Sequence, residues 1–216
     1  MKIINISIIC ILFLQNLVLA KTINTTNDFS KKDLTLSNMA KKSLENADFS
    51  NSNISFAQFS SANLKNAILF EIEAQKTQFA SADLSGVIAY KEQQQKHANF
   101  SEANFVGANL TGANMSKARL FRANFLNANL SNVIFNEANM VGTSLKNANI
   151  SGALFKDVPI AYNGTTKIFT YIANINDLKN MGVIWDNNNP PKVECTLCNK
   201  SGVLPQTQKP TLRSNR

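Results

Sequence analysis

Cys195-Thr196-Leu197-Cys198 is the only motif in this 216-residue chain whose residue types and spacing could carry chemistry. Several readings compete for it. A short-loop disulfide suits a protein that leaves the reducing cytosol. A thioredoxin-like redox pair would need a helix start inside a βαβ unit, and Asn187 to Pro191 do not supply one. Zinc needs four ligands, so Cys195 and Cys198 are half a set and only weak metal candidates. His97 is the sole histidine and lies far away in sequence, so a complete site would call for a second copy of the chain. Covalent haem attachment would need a histidine where Asn199 stands. A structural disulfide, or thiols without a role, is the leading reading.

The other titratable groups offer less. His97 follows a polar stretch and reads as an exposed, solvated residue. Asp48, Asp83, Glu102 and Glu137 read as outward-facing, and paired-acid catalysis would need one of them desolvated in a cleft. The sequons Asn109-Leu110-Thr111, Asn129-Leu130-Ser131 and Asn149-Ile150-Ser151 recur with a period and read as its by-product. No phosphate-binding glycine loop is present. No catalytic residue and no cofactor is therefore expected, and the chain reads as a non-enzyme.

The elements that would position these groups follow from one period. From Phe100 to Phe155 an apolar centre recurs every five residues: Phe100, Phe105, Leu110, Met115, Leu120, Phe125, Leu130, Phe135, Met140, Leu145, Ile150 and Phe155. Two residues before each centre stands a small residue, with Val133 and Thr143 the only non-alanines. A period of five is neither 3.6 nor 2.0, so neither one amphipathic helix nor one flat strand accounts for it. A short strict period means a repeat architecture. Within a pentad, the small residue and the centre point inward from extended chain, and two polar residues then turn a corner. Four corners close a square coil of twenty residues, and stacking puts residue i over i+20. The expected columns are Phe105-Phe125-Leu145, Leu110-Leu130-Ile150, Met115-Phe135-Phe155 and Phe100-Leu120-Met140.

A weaker block precedes it, on centres Leu34, Met39, Leu44, Phe49, Ile54, Phe59, Leu64, Leu69, Ala74, Phe79 and Leu84. Lys32 and Lys42 at inward positions suggest an irregular or capping first layer. Leu84 to Phe100 is sixteen residues, three pentads plus one, so the segment 87–97 reads as a bulge, a loop or a helical turn. The organisation is then a leader at 1–20, a flexible lead-in at 21–31, the solenoid at 32–157, a C-terminal cap at 158–185, and a mobile basic tail at 186–216 with the cysteine pair. In the leader, Lys2 precedes the apolar run Ile3 to Leu19, and Ala20 is the expected cut site of a signal peptide. The formal charge is +8, with basic residues scattered rather than clustered.

The pentads Ala108-Asn109-Leu110-Thr111-Gly112, Ala113-Asn114-Met115-Ser116-Lys117 and Ala128-Asn129-Leu130-Ser131-Asn132 resemble the pentapeptide repeat family. The resemblance covers roughly residues 32–157. It implies an all-β fold, a right-handed quadrilateral β-helix of about six coils. The family's best-understood members mimic DNA in shape and charge and bind type II topoisomerases. This chain is basic and has a leader, which argues against a DNA topoisomerase partner. The expected function is an exported binding or scaffolding surface for a protein partner. Alternatives are binding of a polyanion, nucleic acid or envelope polymer, by the basic surface, and a thiol or metal function at Cys195 and Cys198. The cap, with Trp185, is a candidate homodimer contact.

Overall fold

A computed structural model describes residues 27–163 and 168–198. The expected leader, residues 21–26 of the lead-in, and the tail from residue 199 lie outside the described residues. So do residues 164–167.

Successive pentads are joined by parallel one-residue bridges to partners twenty residues on, as in Asn104↔Asn124, Asn109↔Asn129, Asn114↔Ile134 and Arg119↔Asn139. Four bridged positions per twenty residues make a four-sided coil. Each side donates along the rod axis in both directions: Phe105 N–H to the Asn124 carbonyl at 2.7 Å, Asn124 N–H to that of Ala103 at 3.0 Å. Corners are closed turns in which the centre's carbonyl accepts the next small residue's N–H, as Phe105 does from Ala108 at 3.0 Å. The second corner residue sits in the left-handed region, at φ 58° in Asn127 and 56° in Lys117. Most side chains pay for that conformation, glycine and asparagine least, which is why Asn and Gly recur there.

The four sides are numbered here in chain order. Side 1 carries the centres Phe29, Phe49, Leu69, Ala89, Met115, Phe135 and Phe155. Side 2 starts at Leu34, side 3 at Met39 and side 4 at Leu44. The four expected columns stand. Phe105 lies on Phe125 with ring centroids 4.6 Å apart and planes 5° from parallel. The stack continues through Phe79 at 5.0 Å. Centres and their small partners are buried throughout the second block apart from Thr143. Each fully buried Phe or Leu contributes roughly 1.5–3 kcal/mol. The small partner is required because a coil four strands wide has no room for two large inward rows.

Three features depart from the sequence reading. Phe29, assigned to the lead-in, is the first centre: Asp28 bridges Asp48, and Phe29 stacks on Phe49 at 4.7 Å. Lys32 and Lys42 do not make the first layer irregular, since its bridges keep the twenty-residue register. Lys32 is exposed, its Nζ donating to the Asp28 carbonyl at 2.6 Å and lying over the Phe29 ring. The break also starts later and is longer than one residue. Ile88 bridges Asn114, twenty-six residues on, and Val87 and Ala89 are both fully buried. Val87-Ile88-Ala89 is a regular pentad with its large and small inward residues exchanged, as in Ile72 and Ala74. The six extra residues leave the rod at the next corner as a loop, Tyr90 to His97, so neither a bulge nor a helix forms.

The rod is closed at its C-terminal end by a broken last coil. Strand β1 (Leu154–Lys156) pairs in parallel with β4 (Lys192–Glu194) on side 1. Pro159 and Ile160 continue side 2, accepting from Met140 and Gly142. The chain then leaves as a hairpin of β2 (Pro159–Asn163) and β3 (Ile168–Tyr171). Helix α1 (Ile175–Asn180) follows, with Asn174 as its N-cap in a capping box with Asp177. It takes the place in the chain that side 3 would occupy, and its Leu178 is fully buried with the core. Ile184 then bridges Asn149 on side 4. The cap thus runs past residue 185 to Glu194, and residues 186–198 belong to it rather than to a tail.

Ala128 is 1% exposed. Ala128→Phe should overpack the interior and cost about 1–3 kcal/mol or more. The outward Asn127→Lys meets only its left-handed corner and should cost less than about 1 kcal/mol. Denaturant unfolding of the two variants should separate them; equal losses would refute the square interior.

Candidate functional site

The Asn and Asp residues between the inward positions are occupied structurally. Their Oδ1 accepts the N–H two residues on, as Asn104 does from Val106 at 3.1 Å and Asp48 from Ser50 at 2.8 Å. That N–H sits in the corner and has no ladder partner, so Asn or Asp at this position supplies one. A Ser or Thr two residues after the Asn adds a second donor to the same oxygen, Thr111 Oγ1 at 2.7 Å and Ser131 Oγ at 2.7 Å. The recurring sequons are this pair. Asp83 accepts from Ser85 N and from Asn109 Nδ2, both at 3.0 Å. Glu102 faces Lys76 at 3.7 Å and Glu137 faces Lys117 at 3.6 Å. None of the four carboxylates lies in a cleft with another.

Cys195 and Cys198 are joined in a disulfide, 5.5 Å between Cα atoms. Asp157, a residue that sequence reasoning passed over as the end of the pattern, anchors the loop between them. It is 8% exposed and held at φ 51° in the last regular corner. Its Oδ1 accepts Thr196 N at 2.6 Å and Leu197 N at 3.1 Å, and its Oδ2 accepts Thr196 Oγ1 at 2.7 Å. The signal in the sequence was weak: an Asp at a left-handed corner, followed far downstream by a Thr between two cysteines. Burial, and after it the Asp157 charge, raises Tyr171 above its usual value of 10. No group of three or more His, Cys, Asp or Glu converges among the described residues.

His97 is the exposed residue the sequence suggests. It stands where the loop rejoins the rod, with the Gln94 amide nitrogen 3.4 Å from Nδ1. Partial desolvation first, and the Lys117 charge second, lower its pKa below the usual 6.5. The loop is held by Gln95 N–H to Glu71 Oε1 at 2.9 Å and Lys91 N–H to Gln94 Oε1 at 2.9 Å. Two cations cover aromatic rings at its base, Lys91 over Phe70 at 5.5 Å and Lys117 over Tyr90 at 5.4 Å. Such pairs contribute about 0.5–1 kcal/mol each at exposed sites.

The outer columns of the four sides differ. Sides 2, 3 and 4 carry polar residues almost throughout, among them Asn99, Asn104, Asn109, Asn124 and Asn129. Side 1 runs Asp28, Asp48, Ile68, Ile88, Asn114, Ile134, Leu154, Lys192 in bridged succession. Ile88 is 45% exposed.

A family model described as pentapeptide repeats matches the chain in eight copies, over residues 28–66, 96–127 and 123–158. No curated protein matches the sequence. Among solved structures, HetL is similar, a pentapeptide repeat protein involved in heterocyst differentiation regulation from the cyanobacterium Nostoc sp. strain PCC 7120. It is 16% identical, with 82% of this chain and 78% of that chain covered and a TM-score of 0.40. Full-length QnrB1, a plasmid-mediated fluoroquinolone resistance protein, is 14% identical over 73% of this chain and 85% of its own, TM-score 0.34. A pentapeptide repeat protein from the Arabidopsis thaliana thylakoid lumen is 29% identical over 66% and 86%, TM-score 0.23.

His97 makes folding stability pH-dependent. Its folded pKa lies below the unfolded value, so between the two the unfolded chain binds more protons. Stability is complete above 6.5 and falls as pH drops through that value towards the folded pKa. The melting temperature should fall on acidification from neutral pH, and His97→Gln should flatten that slope; an unchanged slope refutes it. Asp157→Ala should leave the cysteine loop unanchored and speed its reduction by dithiothreitol several-fold, with Asp157→Asn in between. Equal reduction rates would show that the carboxylate does not hold the loop.

Proposed function

The chain belongs to the pentapeptide repeat family, and from that premise we propose that it is an exported, non-enzymatic binding module. Its rod is taken as a right-handed quadrilateral β-helix of about six coils, with the loop Tyr90 to His97 as the recognition element for a protein partner. One observation carries this reading. Asp48, Asp83 and Asp157 are engaged in holding the rod together, while between the first and last coils of the described residues the loop alone breaks the side-to-side regularity and exposes Lys91 to Gln93 and Gln95 to His97. Its base presents Phe70 and Tyr90 under Lys91 and Lys117, the aromatic and cationic mixture that anchors contacts well. Members of the family are typically non-enzymatic. Export is supported by the apolar leader ending at Ala20 and by a disulfide, which persists in an oxidising compartment.

A second reading is binding of an anionic polymer. Lys91, Lys96, Lys117 and Arg119 lie on or beside the loop and favour it. Binding that collapses with salt supports the polymer; salt-independent binding supports the protein partner.

The test uses the secreted full-length product, checked by mass for an N-terminus at Lys21, as bait in envelope extract. A chain in which residues 90–97 are cut to the regular pentad length should lose the partner while keeping its circular dichroism spectrum. Retained leader sequence would overturn export, and capture that survives the deletion would overturn the loop's role.

A further inference from the structure

The outer column of side 1 is nearly palindromic. From Ile68 it reads Ile68, Ile88, Asn114, Ile134, Leu154, one residue per coil, in unbroken bridged register. Asp48 precedes this stretch and Lys192, paired with Leu154, follows it. Ile at this position, 45% exposed in Ile88 and half-buried in Ile68 and Ile134, gives up the corner hydrogen bond that Asn supplies on the other sides. An apolar column on a flat β face, rimmed by charge, marks a protein contact.

We propose that side 1 is the contact between two copies of this chain, packed face to face and antiparallel about a twofold axis that runs along the strand direction at Asn114. That operation reverses the order of the coils and keeps each edge of the face against the same edge of its partner. Asn114 meets Asn114 of the other copy, Ile88 meets Ile134, and Ile68 meets Leu154. The charges then pair as well. Asp48 meets Lys192, and at the corner between sides 1 and 2 Lys91 meets Glu137. Lys117 meets its own copy, with each already beside its Glu137 at 3.6 Å, so the Lys91–Glu137 cross-pair extends an existing ion pair into a network. A parallel twofold would give the same apolar matches, but would set Asp48 against Asp48 and Lys192 against Lys192. Charge therefore selects the antiparallel arrangement. The central Asn pair fixes the register, because a slip of one coil would bury an amide against isoleucine with no partner. The contact is isologous, as a closed dimer requires. It lies on the rod's flank rather than on the cap, with the recognition loop at its rim.

Sedimentation velocity of the mature chain, from low micromolar to hundreds of micromolar, should show a monomer–dimer equilibrium. Ile88→Lys with Ile134→Lys should weaken it at least tenfold, about the effect of losing a central anchor, with circular dichroism unchanged. Lys91→Glu and Glu137→Lys should each weaken it, and together they should restore it. A zero-length carbodiimide should couple Asp48 to Lys192. These lie six coils apart in one chain, ~29 Å, so that product can form only between copies. A monomer at every concentration, a dimer indifferent to the lysine substitutions, or a dimer without the Asp48–Lys192 product would each overturn the proposal.

Discussion

Every coil of this protein is bound to the next by backbone hydrogen bonds that run parallel to the rod axis. The ladder tolerates only coils of equal perimeter. A residue added on a side would shift every later N–H away from its carbonyl and turn inward side chains outward. Much of the rest follows from that constraint. The small residue beside each large one keeps the perimeter fixed. The left-handed corner residues let the chain turn within two positions. The six extra residues between Ala89 and Ala98 leave at a corner, where the ladder is already interrupted. The pairing of Ile88 with Asn114 across them shows the register undisturbed.

Perimeter also governs composition more finely than the pentad motif suggests. Where a centre shrinks to Ala74 or Ala89, its partner grows to Ile72 or Val87, so the pair fills the same space. Cores accept such volume-conserving exchanges readily. A motif read strictly as small-then-large misses them. For this reason the sixteen residues from Leu84 to Phe100 read as three pentads plus one, when they are two pentads plus six.

The architecture from Phe100 to Phe155 was legible because each coil repeats the same local problem, and the period states its solution. The C-terminal end was only partly legible. Asn174 announced its helix through a local cap. Asp157, by contrast, acts on Thr196 and Leu197 through contacts thirty-nine and forty residues away, and no local pattern encodes such a pairing. His97 was legible by contrast: its polar neighbourhood in sequence corresponds to an exposed position. Side 1 could have been noticed. Ile68, Ile88, Ile134 and Leu154 depart from Asn at one position in every fourth pentad, a signal that appears only when the pentads are sorted by side.

The corner that ejects the loop makes the rod modular in an evolutionary sense. Since the coils on either side pair across it, the length and sequence of the ejected segment are uncoupled from the scaffold's stability. Doubling a flexible loop adds only about 0.6 kcal/mol of closure entropy. A lineage carrying this scaffold could exchange one recognition segment for another at that single address without relearning how to fold.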